Sequence, residues 1–569
     1  MKKWGLALAV VLALAALLRI RGLGFGLPAV YNPDEIAIMS RALGFGTGDL
    51  NPHNFLYPTL YFYVLFACEG LYFIGGRLLG AIPSRAAFQQ SFFVDPTGIY
   101  LAGRALGVVC GLLTVWATWR FGRRLAGPVA GAAAALFLAV APFAVRDAHY
   151  VKHDVPATLL ITLAVLAALH LAEGTPPERG RRFLLAAATA GLAMSLHYYA
   201  VFVGLPLMFA VWLAWVDSSV RERIGLMVRA GAIAAIAFFL GSPFLLAEPL
   251  TAWRDIRANR QIVIDRAAEI GGHAFASAPE YARMLWQDAA GWPIVLLALA
   301  GLVVLARRRP YSCVLMLLFP IAFLVFISTT IAATRYLNPV LPFVALLAGV
   351  AVARISELFP SRPAWAIAAI LAVAAGMPGF AASWHTGTFF QQTDTRTLAL
   401  DYFRASVPSG AGVLVQPYSV PLPESRQSLV DALTEHLGDP RKASTKSQLR
   451  LQLPTWPEPS FRVIYLGHGG LDVDKIYVDY PEVGGSAGLS ALERRNVQYV
   501  VLKRYNDEPA VVGPLVEALG QKARRVAVFS PYRSSGVAVP VAPFLHNTDR
   551  RIDPELERPG PVLDIWQLP

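Results

Sequence analysis

The sequence contains few charged residues and few cysteines. Charged residues make up 15% of the 569 positions, whereas soluble globular proteins average about 25%. Hydrophobic residues make up 55%, and the mean hydropathy is +0.48. This composition excludes an ordinary soluble domain and predicts a polytopic membrane protein. The three cysteines lie far apart in apolar segments, so we expect neither a disulfide framework nor a CxxC metal site.

Nucleotide-binding motifs are missing as well. The chain has no P-loop GxxxxGK[ST], and no GxGxxG stands between a strand pattern and a helix pattern. We expect no nucleic acid among the partners. Long apolar runs end near residue 383, so the sequence predicts a membrane domain at 1–383 and an α/β domain at 384–569.

Eleven apolar segments have about the 20-residue length that a bilayer-spanning helix needs. They lie near residues 4–20, 99–119, 128–144, 154–172, 183–198, 199–216, 228–247, 290–306, 312–331, 336–354 and 364–382. Segment 4–20 also resembles a signal peptide, but Arg19 and Arg21 close it without a small-x-small cleavage site. We therefore interpret it as an uncleaved first helix.

Arginine-rich segments decide the orientation. If 57–76 does not span, the arginine-rich breaks after spans two, four, six, eight and ten all fall on one side with Lys2 and Lys3. The positive-inside rule then places the amino terminus in the cytoplasm and the 384–569 domain outside a bacterial-type inner membrane. Segment 57–76 becomes a juxtamembrane helix, in keeping with its Glu69 and four tyrosines.

The polar residues that stand out in this topology all lie on the outer face. They are Asp34 and Glu35 after the first run, His53 and Tyr57 in "NPHNFLYPTLYFY", Arg146, Asp147, His149, His153 and Asp154 in "RDAHYVKHD", His197 and Tyr198 in "HYY", Arg257 in the basic loop 248–290, and Arg335 and Tyr336 in "TRYLNP". ATP is normally absent on this face, so an enzyme here needs a substrate that is already activated in the membrane. It also needs a carboxylate to take a proton and a cation to hold a leaving phosphate.

These motifs resemble the GT-C superfamily of polyprenyl-phosphate-sugar glycosyltransferases, of the protein O-mannosyltransferase and aminoarabinose transferase type. The resemblance covers roughly residues 1–355 and implies a GT-C fold of about eleven membrane helices plus a juxtamembrane helix. By position it implies that Asp34 is the general base, supported by Glu35, and that Asp154 is the acid of the second outer loop, a place that Asp147 also fits. Arg335 would contact the donor phosphate.

One departure from the family pattern concerns the position before the Pro element. The aminoarabinose branch carries an acidic-basic pair there, whereas this chain has Leu56 and Tyr57. The departure argues against lipid A modification and against a metal site built as in that branch. We expect no certain cofactor, with a divalent Mg, Mn or Zn ion left open.

Each of these residues also has a structural interpretation. Asp34 and Glu35 follow Asn32-Pro33 and suit the first turn of a helix. His149 and His153 are four apart, a spacing that fits metal ligands or interfacial hydrogen bonds equally. His197 and Tyr198 fit an aromatic belt or a sugar contact. The five arginines of loop 248–290 suggest an anion, yet an amphipathic surface helix explains them as well.

The sequence therefore predicts an inverting membrane transferase that moves a sugar from a polyprenyl phosphate to a hydroxyl-bearing protein, lipid or glycan. The alternative is a transporter or flippase of lipid-linked sugars, although no internal repeat is evident. In the 384–569 domain, strands are predicted at 412–419, 461–467, 497–504, 524–529 and at the carboxy terminus. Helices are predicted near 394–406, 424–437 and 510–521, and a mobile loop at 438–460.

Overall fold

The computed structural model describes residues 2–269, 275–359, 363–467, 472–504, 509–533, 541–545 and 551–569. The first part of the chain is helical. Its helices are α1 (Lys2–Ile20), α2 (Pro33–Gly44), α3 (Leu60–Leu78), α4 (Arg85–Val94), α5 (Thr97–Ala139), α6 (Pro142–Asp147), α7 (Asp154–Ala172), α8 (Pro176–Leu196), α9 (Gly204–Ala214), α10 (Val220–Gly241), α11 (Phe244–Ala247), α12 (Pro249–Glu269), α13 (Ala278–Met284), α14 (Trp292–Arg308), α15 (Pro310–Ile327), α16 (Leu341–Glu357) and α17 (Ala364–Phe390). The apolar composition and the helices of this part are those of a multi-pass membrane protein.

A helix overlaps every one of the eleven apolar segments. Within the described residues, five stretches are long and apolar enough to cross a bilayer: Thr97–Ala139, Asp154–Ala172, Val220–Gly241, Pro310–Ile327 and Trp365–Ser406. The bent pair Ala278–Ala289 and Trp292–Arg308 makes a sixth if it forms one span. The number of spans therefore stays a prediction.

Helix α5 contains two of the predicted segments. Ala126 and Gly127 leave helical geometry, and Gly127 has a φ of 84° that favours glycine. Pro128 then restarts the helix, since proline is tolerated in a first turn. The break lets one continuous element turn back into the bundle.

Helices α2, α3 and α4 lie between α1 and α5, in the stretch that we predict to be an outer loop. Helix α3 covers the predicted juxtamembrane segment, and it buries Tyr61, Phe62, Leu65 and Glu69 against its neighbours. Short helical turns follow at Tyr198–Val203, Leu285–Ala289 and Thr334–Leu337. The last of these turns carries Arg335.

The second part of the chain is an α/β unit built on a mixed sheet. Its elements are α18 (Thr395–Ser406), β1 (Gly412–Val415), α19 (Arg426–Leu437), α20 (Thr445–Leu451), β2 (Arg462–Leu466), β3 (Ile476–Val478), α21 (Tyr480–Val483), α22 (Gly485–Arg494), β4 (Tyr499–Arg504), α23 (Pro509–Lys522), β5 (Arg524–Phe529) and β6 (Val562–Gln567). The strand order is β3-β2-β1-β4-β6-β5, with β6 antiparallel to both neighbours and the other pairs parallel.

The predicted α/β class is confirmed, and the elements that were not predicted are strand β3 and helices α20, α21 and α22. Strand β3 was not predicted, because three residues are too short for an alternation signal. The stretch 438–460, predicted as a mobile loop, contains helix α20, whose first turn is capped by Ser444 accepting from the Ser447 amide. The sequence did not predict this helix, because the polar residues that cap it are also common in loops.

The two parts contact each other through the segments next to α1 and α17. The Tyr31 hydroxyl hydrogen-bonds the Thr397 hydroxyl at 2.7 Å, and the Arg396 guanidinium lies 3.8 Å from the Tyr31 ring centre. Phe390 at the end of α17 packs against Phe544 of the α/β unit with ring centres 5.6 Å apart. The α/β unit is thus packed against the same loops that carry the site described next.

Candidate active site

The two adjacent acids of α2 point in different directions. Asn32 caps the helix by accepting a hydrogen bond from the Asp34 amide at 3.0 Å, and Pro33 fills the first position. Successive residues of a helix are turned by about 100°, so neighbours cannot share a face. The Asp34 side chain is 47% exposed, whereas that of Glu35 is fully buried.

Two cations lie against the exposed acid. Lys152 Nζ donates to Asp34 Oδ2 at 2.6 Å, and Arg335 Nη1 lies 3.9 Å from the same oxygen. The Lys152 side chain is 5% exposed, and this burial lowers its pKa, as does Arg335, while Asp34 opposes the shift. Asp154, at the start of α7, is buried and interacts electrostatically with both cations. We call Asp34, Lys152, Asp154 and Arg335 the Asp34 cluster.

Arg335 keeps its charge despite burial. Burial favours the neutral form, but Tyr336, Asp154, Tyr57 and Asp34 together raise its pKa above the ordinary value. Its guanidinium also lies 5.3 Å from the Tyr336 ring centre. About a fifth of the Arg335 side chain remains exposed, so the cation is accessible.

A buried polar network holds the turn that carries Arg335. Arg146 Nη2 donates to the Thr334 hydroxyl at 2.6 Å, and Arg146 Nε donates to Asp147 at 3.1 Å. Asn338 Nδ2 donates to the other Asp147 oxygen at 2.6 Å. Arg146 and Asp147, predicted as substrate contacts, are almost fully buried and instead fix the Arg335 segment from behind.

Aromatic rings form a wall close to the Asp34 cluster. Tyr57 stacks on His153 with ring centres 4.4 Å apart, and Tyr57 and His197 pack in a T-shaped arrangement with ring centres 5.3 Å apart. His197 in turn stacks on Tyr199 at 3.6 Å. The Tyr198 hydroxyl donates to the Phe55 carbonyl at 2.9 Å, so Tyr198 holds the loop before Tyr57. Both predicted interpretations of the "HYY" segment stay open.

The Glu35 carboxylate is bonded by buried groups and not by residues of the Asp34 cluster. Arg104 donates to both of its carboxylate oxygens at 3.0 Å, and the Val151 amide donates at 2.9 Å. Arg104 also donates to the Leu23 and Phe25 carbonyls. In this conformation Glu35 cannot touch a substrate, and its support of Asp34 is to fix α2 beside the segment that carries Lys152.

His53 and Arg257 lie outside the contacts of the Asp34 cluster. His53 is exposed, and its ring nitrogens are 2.9 Å from Asp49 and 2.7 Å from Glu248. Arg257 is exposed on α12, without a hydrogen bond or ion pair in the described part of the chain. The predicted substrate contacts of these two residues stay predictions.

The metal that the family resemblance leaves open finds no ligand set here. His149 has a carbonyl oxygen against each ring nitrogen, that of Val145 at 2.9 Å and that of Arg21 at 3.0 Å. His153 is buried among the aromatic rings, and burial lowers its pKa to about 3. No group of three His, Cys, Asp or Glu side chains suited to a metal occurs among the described residues. The predicted His149–His153 pair therefore does not fit a metal.

Sequence reasoning missed Lys152 and Arg104. Lys152 lies inside the quoted "RDAHYVKHD" motif, where the acids and histidines drew attention first. Arg104 lies within the predicted span 99–119, and a charge in such a segment is itself a signal of a buried partner. The sequence alone therefore indicates a buried partner for Arg104.

Comparisons with known proteins agree with this architecture. The fold is that of GT-C glycosyltransferases. ArnT from Cupriavidus metallidurans is 15% identical with a TM-score of 0.51, covering 92% of this chain and 95% of that one. The Archaeoglobus fulgidus oligosaccharyltransferase is 12% identical with a TM-score of 0.51, covering 93% and 73%.

Sequence comparison identifies a family for one segment. Residues 99–246 match the model of the dolichyl-phosphate-mannose-protein mannosyltransferase family. No curated protein sequence matches the chain. The resemblance to GT-C glycosyltransferases that the motifs predicted is confirmed.

Proposed function

We propose that the protein is an inverting glycosyltransferase that moves a sugar from a polyprenyl-phosphate donor to an acceptor hydroxyl. The observation that carries the proposal is the half-exposed Asp34 carboxylate beside the buried Lys152 and the partly exposed Arg335. The matching family is named for a dolichyl-phosphate-mannose donor, which supports the donor class. ArnT and the oligosaccharyltransferase share the fold and support the membrane setting.

In the proposed reaction Asp34 accepts the proton of the acceptor hydroxyl. The hydroxyl oxygen attacks the anomeric carbon from the side opposite the phosphate, forming the new glycosidic bond with inversion. The bond between that carbon and the phosphate oxygen breaks, and its electrons leave with the polyprenyl phosphate. Arg335 and Lys152 stabilise the departing anion.

Lys152 donates to Asp34, so the proton acceptor and the cation of the proposed reaction are paired with each other. A phosphate that takes Lys152 as its partner frees the Asp34 oxygen for the acceptor proton. Asp154 compensates the charge of Arg335 from the buried side, so it acts as a positioning residue. Tyr57 and Tyr336 line the same region and suit an apolar sugar face.

The membrane orientation belongs to the same proposal. The arginine pattern supports a cytoplasmic amino terminus and an extracytoplasmic α/β domain in a bacterial-type inner membrane. The Asp34 cluster then faces the outer leaflet, where a polyprenyl-phosphate sugar is available without ATP. The acceptor is a hydroxyl of a protein, lipid or glycan.

A reconstituted assay tests the proposal. Purified protein in vesicles receives radiolabelled polyprenyl-phosphate hexoses and cell-envelope extract, and loss of label from the lipid is followed. We expect Asp34→Asn to lower turnover by about 10²–10⁴-fold, the usual contribution of a general base, while donor binding stays intact. Asp401→Asn is the matched control, because Asp401 is an exposed acid near an arginine in the α/β unit.

Wild-type turnover by Asp34→Asn contradicts the assignment of the base. If label stays on the lipid for every donor, a flipping assay in the same vesicles tests the transporter alternative.

A further inference from the structure

A second concave region lies away from the Asp34 cluster. It is a groove of about 390 Å³ between α2, α3, α4 and helix α20 of the α/β unit. Five phenylalanines line it: Phe66, Phe73, Phe88, Phe92 and Phe93. None of the Asp34 cluster residues lines it, so the groove is a separate feature.

Two buried polar side chains in this apolar groove have no partner. Glu69 is 1% exposed, and neither carboxyl oxygen has a hydrogen bond within the described residues. The Ser40 hydroxyl, which also lines the groove, is buried without a partner in the same sense. Burial raises the pKa of Glu69 to about 8, so its carboxyl is a neutral hydrogen-bond donor at pH 7. Such groups are costly to leave unpaired, which points to a ligand that pairs them.

The rim of the groove is basic. Arg85 at the start of α4 donates to the Gly46 carbonyl at 2.8 Å through Nη2, and its other nitrogens have no partner among the described residues. Lys446, on α20, is exposed and makes no hydrogen bond or ion pair in the part of the chain that the structure describes. These two cations match an anionic group in front of the apolar wall.

The outward surface of α3 shows what surrounds the groove. Its last turns expose Leu71, Ile74, Leu78 and the following Leu79, by 54% to 86% of their surface. An exposed apolar surface of this kind on a membrane protein faces lipid. The occupant is therefore drawn from the bilayer and not from the aqueous phase.

We propose that this groove binds one anionic phospholipid. An acyl chain lies along the phenylalanines, the phosphate lies between Arg85 and Lys446, and glycerol ester oxygens accept from Glu69 and Ser40. Because α20 belongs to the α/β unit, the lipid would bridge that unit and the juxtamembrane helices α3 and α4. This role goes beyond the transfer reaction and does not depend on it.

Photolabelling tests the proposal on the full-length protein. Nanodiscs of phosphatidylcholine receive a trace of phosphatidylglycerol with a diazirine in one acyl chain, and labelled peptides are mapped by mass spectrometry. We expect label on peptides from 66–93, and Lys446→Glu should lower it about fivefold, the effect of one basic residue at an anionic lipid surface. Lys442→Glu is the matched control, because Lys442 lies on the preceding turn and does not line the groove.

Three results overturn the proposal. If a diazirine phosphatidylcholine labels these peptides equally well, the groove does not select an anionic head group. Label restricted to peptides around 78–79, on the outward surface, shows annular lipid only. Unchanged labelling in Lys446→Glu, with a melting temperature equal to that of the wild type, excludes the basic rim.

Discussion

Ion pairs near the candidate site in the membrane part differ from most of those in the α/β unit. Glu35 and Arg104 are fully buried, and Arg146 and Asp147 nearly so. The α/β unit has a buried pair of this kind, Arg396–Asp394, but pairs such as Arg441–Asp439 and Arg404–Asp401 are largely exposed. Exposed pairs contribute little to stability, whereas a buried charge must keep its partner. The buried pairs of the membrane part therefore hold the segments around the site, whereas the exposed pairs of the α/β unit mainly keep its surface soluble.

The largest effect is expected from breaking the Glu35–Arg104 pair, which is fully buried. Arg104→Ala leaves Glu35 buried without its cation, so we expect the free energy of unfolding to fall by about 3–5 kcal/mol. Thermal unfolding in detergent measures the change. Arg404→Ala removes an exposed partner and should stay within about 0.5 kcal/mol. Equal losses in the two variants would contradict the contrast between the regions.

Removal of the accessible cation should affect turnover and not folding. Arg335→Ala is expected to lower kcat by about 10²–10³-fold, since one preorganised electrostatic contact to a transition state has that size. Asn338→Ala removes a contact behind the same segment, so we expect a smaller loss of kcat. Arg335→Lys keeps the positive charge and should stay partly active. Turnover in vesicles is compared with the unfolding temperature. A parallel fall of both quantities in Arg335→Ala would make Arg335 structural.

The exposed His53 contact should give the smallest effect, seen as a pH dependence. Hydrogen bonds to Asp49 and Glu248 raise the pKa of His53. A raised pKa means that protonated His53 stabilises the loop at pH below its unfolded value near 6.5, and that this is lost as pH rises through the folded pKa. Hydrogen exchange of residues 49–57 measures it. His53→Gln should remove the pH dependence, and an unchanged profile would refute the contact.

The fold was predictable from the sequence to a greater extent than the site. Apolar runs and arginine asymmetry predict the helices, and alternating patterns predict all strands of the sheet but β3. Side-chain direction was not predictable, because a position in an outer loop does not reveal which face is buried. The sequence therefore predicts Arg146 and Asp147 as substrate contacts, whereas the structure shows them bonded to each other, to Thr334 and to Asn338.

The two acids of α2, Asp34 and Glu35, both bind the short segment that contains Val151 and Lys152. Glu35 binds the Val151 amide while Asp34 binds the side chain of Lys152, the next residue. The spacing between the proposed proton acceptor and its cation is thus set by neighbouring loops and not by the depth of any spanning helix. Bilayers of shorter or longer acyl chains should stretch or tilt the bundle and leave this local spacing intact.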